Sequence, residues 1–396
     1  MDGLAGNRRF DLDWLRIGAF GLLILYHIGM VFVPWNFHIK FAPTSPAVEA
    51  PMLLLNAWRL ILLFLISGAA SRFLLAKRPL GFAASRSKRL ILPLLFGMAI
   101  IVAPQAWIDV TVNHGYTRGF LEFWTSDYWR FDKSLGVAVP TWNHLWFVVY
   151  LWVYTMLLAC GATMLPASKG AELQRRFDSV FSSWRLGVLP VLLLAFERLF
   201  LADRFPETHA LIDDWGIHTV YGFAFLFGFG LAGSSTLWPM IARIWKAAGV
   251  IALVAWAVVA WTNDLPGDIE DLGPNVVAGF RVLRAIQGWS AILALLGLVQ
   301  AHFNRDHPWR ATLNEAVFPA YLVHQTIIIV VVFWLRPLGL SAWMTFFILV
   351  AATTAGCAAF YLLARNLRWL RPWAGLSTPS ASSRPRHARD ADAQIG

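Results

Sequence analysis

The sequence predicts an all-α integral membrane protein, a bundle of about ten transmembrane helices with both termini cytoplasmic. Three observations predict it: little charge, long apolar runs and an uneven placement of Lys and Arg. Charged residues make up 14% of the 396-residue chain and hydrophobic ones 58%, and the mean hydropathy is +0.57. A soluble domain is usually about 25% charged, so this chain lacks the charge to cover a water-facing surface. Its apolar residues come in runs of about 18 or more, the length that crosses a hydrocarbon core. In lipid each span must satisfy its own backbone hydrogen bonds, which makes such runs helices.

The runs fall at 14–34, 51–75, 88–108, 143–165, 185–202, 217–235, 243–262, 279–301, 317–335 and 341–363. The run at 185–202 is the least clean, because Glu197 and Arg198 lie near its end. Of the 33 Lys and Arg, 22 fall on the side of the N-terminus and nine on the other, with Arg16 and Arg59 inside spans. The larger group includes Arg8, Arg78, Arg384, Arg386 and Arg389. Basic residues concentrate in cytoplasmic loops, which sets the orientation. The same asymmetry accounts for the net charge of +10 without a nucleic-acid partner.

Cys160 and Cys357 lie inside apolar runs, so neither a disulfide framework nor a metal site is expected. The first run is long, carries Asp11 and Asp13 at its start and lacks a small-x-small exit; a cleaved signal peptide is not expected. Residues 1–370 read as one membrane domain. Residues 371–396, rich in Ser, Pro, Arg and Ala, read as a disordered cytoplasmic tail. There is no internal repeat. The loop at 109–140 is aromatic and acidic, and the loops at 203–214 and 264–271 are acidic. Rings with carboxylates suit sugar faces and hydroxyls, and aromatic rings equally form belts at the lipid interface.

Ionisable residues within spans point to function, because lipid makes them expensive. Arg16 and His27 are eleven residues apart, which at about 100° per residue returns to within about 20° of one face, roughly 16 Å along the axis. Asp13 lies one turn before Arg16 and near that face, so a polar stripe leads from the N-terminal mouth to mid-membrane. Arg16 with Asp13 also fits an interfacial ion pair, and His27 a hydrogen-bonded core histidine. Arg86 and Arg89 share a face at a helix start; paired guanidinium groups suit phosphates. In the second span Arg59 lies near the outer end, and Ser67-Gly68 suits close helix packing. His144 opens the fourth span at its outer mouth. Tyr321 and His324 sit one turn apart in the ninth, where hydrogen bonding between helices is the plainer role.

On these residues the chain resembles the acyltransferase-3 family of membrane acyltransferases, and more closely its branch of periplasmic-glucan succinyltransferases. The resemblance runs from about Asp11 to Tyr361. It rests on Leu12-Asp13-Trp14-Leu15-Arg16 followed by ten residues and His27, on Phe64 to Gly68, on Arg86-x-x-Arg89, on His144-Leu145-Trp146-Phe147 and on Tyr321 to His324. There are departures. Gln325-Thr326 follow His324 where family members often carry a proline two residues on. No soluble hydrolase-like domain follows the last span, as expected of the stand-alone form.

The resemblance implies an acyl-CoA-dependent O-acyltransferase of the bacterial inner membrane, with acyl-CoA as donor substrate and no permanently bound cofactor or metal. Its acceptor would be a hydroxyl of an extracytoplasmic carbohydrate, a glucan or envelope polysaccharide, and its acyl group acetyl, succinyl or similar. Arg86 and Arg89 would hold the phosphates of coenzyme A, with Arg16 at the mouth and the pantetheine arm threading toward His27. His27 would accept the hydroxyl proton or carry the acyl group itself; the sequence leaves both open. Asp13 is too far along the helix to orient His27. Arg59 would suit a succinyl carboxylate. Oligomeric state is not legible. The competing reading is a transporter or flippase for a lipid-linked sugar or small anion, which also buries ionisable residues near the midplane. A non-catalytic partner of a polysaccharide complex is a third.

Overall fold

Chain order in the computed structural model gives α1 (Phe10–Gly29), α2 (Pro46–Lys77), α3 (Phe82–Ile101), α4 (Ala103–Asn113), α5 (Asn143–Met164), α6 (Ser168–Val180) and α7 (Arg185–Leu201). It continues with α8 (Trp215–Ala232), α9 (Leu237–Asn263), α10 (Pro274–His302), α11 (Pro308–Leu338) and α12 (Ala342–Asn366). Residues 9–41, 43–77, 79–263 and 269–377 are described. Arg8, Arg78, most of the acidic loop at 264–271 and the tail from 378, with Arg384, Arg386 and Arg389, lie outside them.

Eight of these helices are long and apolar enough to cross a membrane unbroken. Two bent pairs, α3 with α4 at 41° and α6 with α7 at 89°, bring the crossings to as many as ten. Both bends have local causes. Pro104 lies in the first turn of α4; it has no N–H to donate back and its ring clashes with the carbonyl four residues earlier, so the helix breaks at Val102. Between α6 and α7, Ser183 takes a left-handed φ of 61°. The sequence does not announce α6: Lys169, Glu172, Arg175 and Arg176 leave it no apolar run, and its charged side chains are largely exposed.

The first span is shorter than its apolar run, ending at Gly29 rather than near 34. The chain after α1 doubles back, with Phe41 N–H donating to Val31 O and Ser45 N–H to Phe32 O. Lys40 fastens this loop by donating to the carbonyls of Met30 and Val33 at 2.7 and 2.9 Å. Burial pushes its ammonium down to about 8, within reach of neutral pH.

The two described ends of the chain lie together. Asp13 pairs with Arg310 and Arg371 with Glu315, both partners being in the first turns of α11. This is the N-terminal end of the bundle. At the opposite end the aromatic loop after α4 builds a small core of its own, in which Phe123, Tyr128 and Val139 are buried against α4. Its rings mainly fill a protein interior.

Close backbone approach fixes the centre. A Cβ on Gly68 of α2 would stand 1.8 Å from Phe225 O, and one on Gly228 of α8 would stand 1.9 Å from Leu65 O. Small residues are the usual means of such contact in lipid. Gly68→Ala must push two helix backbones apart and is expected to destabilise the protein by about 1–3 kcal/mol. A thermal-unfolding midpoint unchanged in detergent would contradict this contact.

Candidate active site

α1 and α11 pack side by side, and α5 begins beside both. This brings three histidines from three spans into one cluster. His27 Nδ1 lies 2.9 Å from His324 Nε2, and His324 Nδ1 lies 2.8 Å from Tyr321 O. The partners assign the protons. A carbonyl oxygen only accepts, so His324 Nδ1 carries hydrogen. In the neutral ring its Nε2 is then an acceptor, and His27 Nδ1–H donates to it. His27 is left with its lone pair on Nε2. Among the described residues that nitrogen has no protein partner, and His27 lines a cavity of about 1270 Å³.

His144 sits at the same place but is fully occupied. Its Nε2–H points at the carbonyls of Tyr321 and Leu322, both at 3.2 Å, and its Nδ1 accepts from Gln105 at 3.3 Å. The Tyr321 hydroxyl returns the contact by donating to His144 O. His144 is buried although it lines the cavity, and through these bonds it joins the start of α5 to α11.

Gln105 is the hub of this network. It donates to Thr326 Oγ1 at 2.6 Å and accepts from Asn143 and Gln325 at 3.2 and 3.3 Å. Thr326 in turn donates to Ile101 O at 2.7 Å. Gln325 and Thr326, the pair that departs from the family pattern, thus tie α11 to the bend between α3 and α4.

The cavity belongs to the end of the bundle away from Asp13. Its walls include His144, Tyr321, Gln325, Arg59, Arg198 and Glu207 beside His27. The Arg59 guanidinium centre stands 3.5 Å over the Tyr26 ring, and its buried Nε and Nη1 have no hydrogen-bond partner among the described residues. On the same wall is a pair that sequence reading missed: His38 Nδ1 lies 2.7 Å from Asp109 Oδ2. The two are 71 residues apart in the chain, on a loop and at a helix end, so only the Asp109-x-x-x-Asn113 spacing gave a local hint.

At the N-terminal end Arg16, Arg86 and Arg89 lie close enough to repel one another. Arg16 donates to Asn314 O at 2.7 Å, and among the described residues the buried Nε atoms of Arg16 and Arg86 have no partner. Asp13, expected beside Arg16, ion-pairs with Arg310 and acts on Arg16 through space. Glu315 approaches Arg89 but is held by Tyr361 and Arg371. Ser67 stays out of the site; its hydroxyl donates to Leu63 O within its own helix.

A polytopic helical protein with a free imidazole nitrogen at mid-bundle, a polar cavity on one side and clustered guanidinium groups on the other has the parts of a group-transfer site working across a membrane. The chain belongs to the acyltransferase-3 family, whose model, described as an acyltransferase domain, matches residues 9–362. It is similar to the glucans biosynthesis protein C of Shigella boydii serotype 4 (strain Sb227) and of Escherichia coli (strain K12). Each is 27% identical over 190 residues, which is 48% of this chain and 47% of the relative. The chain therefore spans about half the length of the curated relatives it matches. No solved structure matches it.

Proposed function

We propose that the protein transfers an acyl group from cytoplasmic acyl-CoA to a hydroxyl of an extracytoplasmic carbohydrate, with His27 as the reacting residue, in a bacterial inner membrane. The observation that carries this reading is the Nε2 of His27, which has no protein partner among the described residues; His27 lines the cavity about 16 Å along α1 from Arg16. Coenzyme A carries phosphates that do not enter hydrocarbon. Three mutually repelling guanidinium groups, two of them with a buried Nε that has no partner among the described residues, suit them at the N-terminal end, taken as cytoplasmic from the Lys and Arg asymmetry. The acceptor enters from the cavity. The name of the glucan biosynthesis relatives makes a glucan the first acceptor to try.

The geometry gives the imidazole what group transfer needs. His324 fixes its tautomer and ring plane, and Tyr321 O fixes His324 in turn, a base–orienter chain of the kind that activates nucleophiles. His144 and Gln105 hold the helices that carry both rings.

The test is release of CoA thiol by the purified protein in lipid nanodiscs, from acetyl-CoA and from succinyl-CoA, with and without glucan. Acceptor-dependent release from either donor supports the reading. Release that no glucan stimulates moves the search to other envelope sugars. Failure of the protein to bind any acyl-CoA would sink the reading and favour the transporter.

A further inference from the structure

Besides His27 and His144 the cavity is lined by His38, His114 and His209; His38 and His209 each meet a carboxylate, and of these two only His38 is close enough to act on His27. His38 Nδ1 meets Asp109 Oδ2 at 2.7 Å. Asn113 steadies the pair from below, donating to Asp109 Oδ1 at 2.8 Å and to His38 O at 2.9 Å. The two side chains keep 21% and 15% of their exposure, and both line the cavity that His27 lines. A carboxylate only accepts, so His38 Nδ1 carries hydrogen, and in the neutral ring the lone pair is on Nε2. Among the described residues that nitrogen has no protein partner. His38 is close enough to act electrostatically on His27.

We propose that His38, oriented by Asp109, is the base that takes the proton from the acceptor hydroxyl while His27 carries the acyl group. The proposal rests on the acyltransferase reading and divides its chemistry between two imidazoles. A single histidine cannot do both. Once an acyl group sits on His27 Nε2, that nitrogen has no lone pair for a proton, and its Nδ1 faces His324, away from the acceptor. A weak hydroxyl nucleophile then needs another base on the cavity side, and His38 with Asp109 has the imidazole–carboxylate arrangement that supplies one.

The atoms balance in two half-reactions. In the first, His27 Nε2 attacks the thioester carbonyl, a C–N bond forms and the C–S bond breaks. The CoA thiolate leaves toward the arginine cluster and takes a proton from solvent. In the second, the acceptor oxygen attacks the acyl carbon while its proton passes to His38 Nε2. The C–N bond breaks, neutral His27 is restored, and His38 returns its proton to water in the cavity.

His38→Asn separates this role from a structural one, because asparagine keeps an N–H near the Nδ1 position for Asp109 and lacks a ring base. In full-length protein in nanodiscs, with acetyl-CoA and succinyl-CoA as donors, His38→Asn is expected to release about one equivalent of CoA and to accumulate acyl-protein by intact mass. Transfer to glucan is expected to fall at least about 100-fold with an unchanged unfolding midpoint. Asp109→Asn, which keeps an acceptor for Asn113, is expected to give the same pattern more weakly. Transfer at the wild-type rate in His38→Asn would overturn the proposal. So would loss of the CoA burst together with transfer, or the absence of acyl-protein when transfer is blocked. Wild-type protein that releases no CoA from either donor would instead overturn the acyltransferase reading.

Discussion

Replacing His27 with alanine is expected to lower acyl transfer by at least about 100-fold, the lower bound for losing a positioned base or nucleophile, while the protein remains folded. The two halves of this expectation come from one geometry. His27 contributes a lone pair on Nε2 to the cavity and, among the described residues, a single side-chain hydrogen bond, to His324 Nε2. Removing the ring removes the reacting atom outright. It leaves His324 Nε2 beside a water-accessible space, where water can replace the lost donor at small cost. His324→Gln should be milder, because a glutamine oxygen can still accept from His27 Nδ1–H. The check is the transfer rate beside the thermal-unfolding midpoint for both variants in nanodiscs. A wild-type rate in His27→Ala would remove the residue from the chemistry. A collapsed midpoint would make it a packing histidine.

What the sequence shows of this molecule depends on whether the governing constraint is local. A bilayer demands long apolar runs, so the unbroken spans are legible from composition along the chain alone. The stripe joining Arg16 to His27 follows from helix periodicity within one span. The bend at Val102 is masked because the apolar run continues through it, and α6 is invisible because its charged residues look like a loop. The contacts that assemble the site are long-range. His27 meets His324 across 297 residues, and His144 meets Tyr321 O across 177. Helix packing decides these pairings, and no single-chain pattern encodes them. The same holds for Asp13, which periodicity places beside Arg16 and which packing gives to Arg310.

Arg86→Ala is expected to raise the KM for acyl-CoA on the order of 10- to 100-fold, as loss of one charge-assisted hydrogen bond to a phosphate implies, with kcat little changed. Its thermal stability is expected to stay level or rise. Without an anion, Arg86 stands against Arg16 and Arg89 with a buried Nε that no group among the described residues satisfies. Like charges held together with unfilled donors destabilise a fold unless something compensates them. Arrangements of this kind persist where binding uses them, and strain of that sort is released when one charge is removed. Arg89 is exposed, so water and salt screen it, and Arg89→Ala should move KM less. Raising the ionic strength should weaken donor binding in the wild type and less so in Arg86→Ala. A fall in kcat at constant KM would place Arg86 elsewhere in the cycle. A loss of stability would make the cluster structural, because only an anion-binding role predicts weaker binding without a weaker fold.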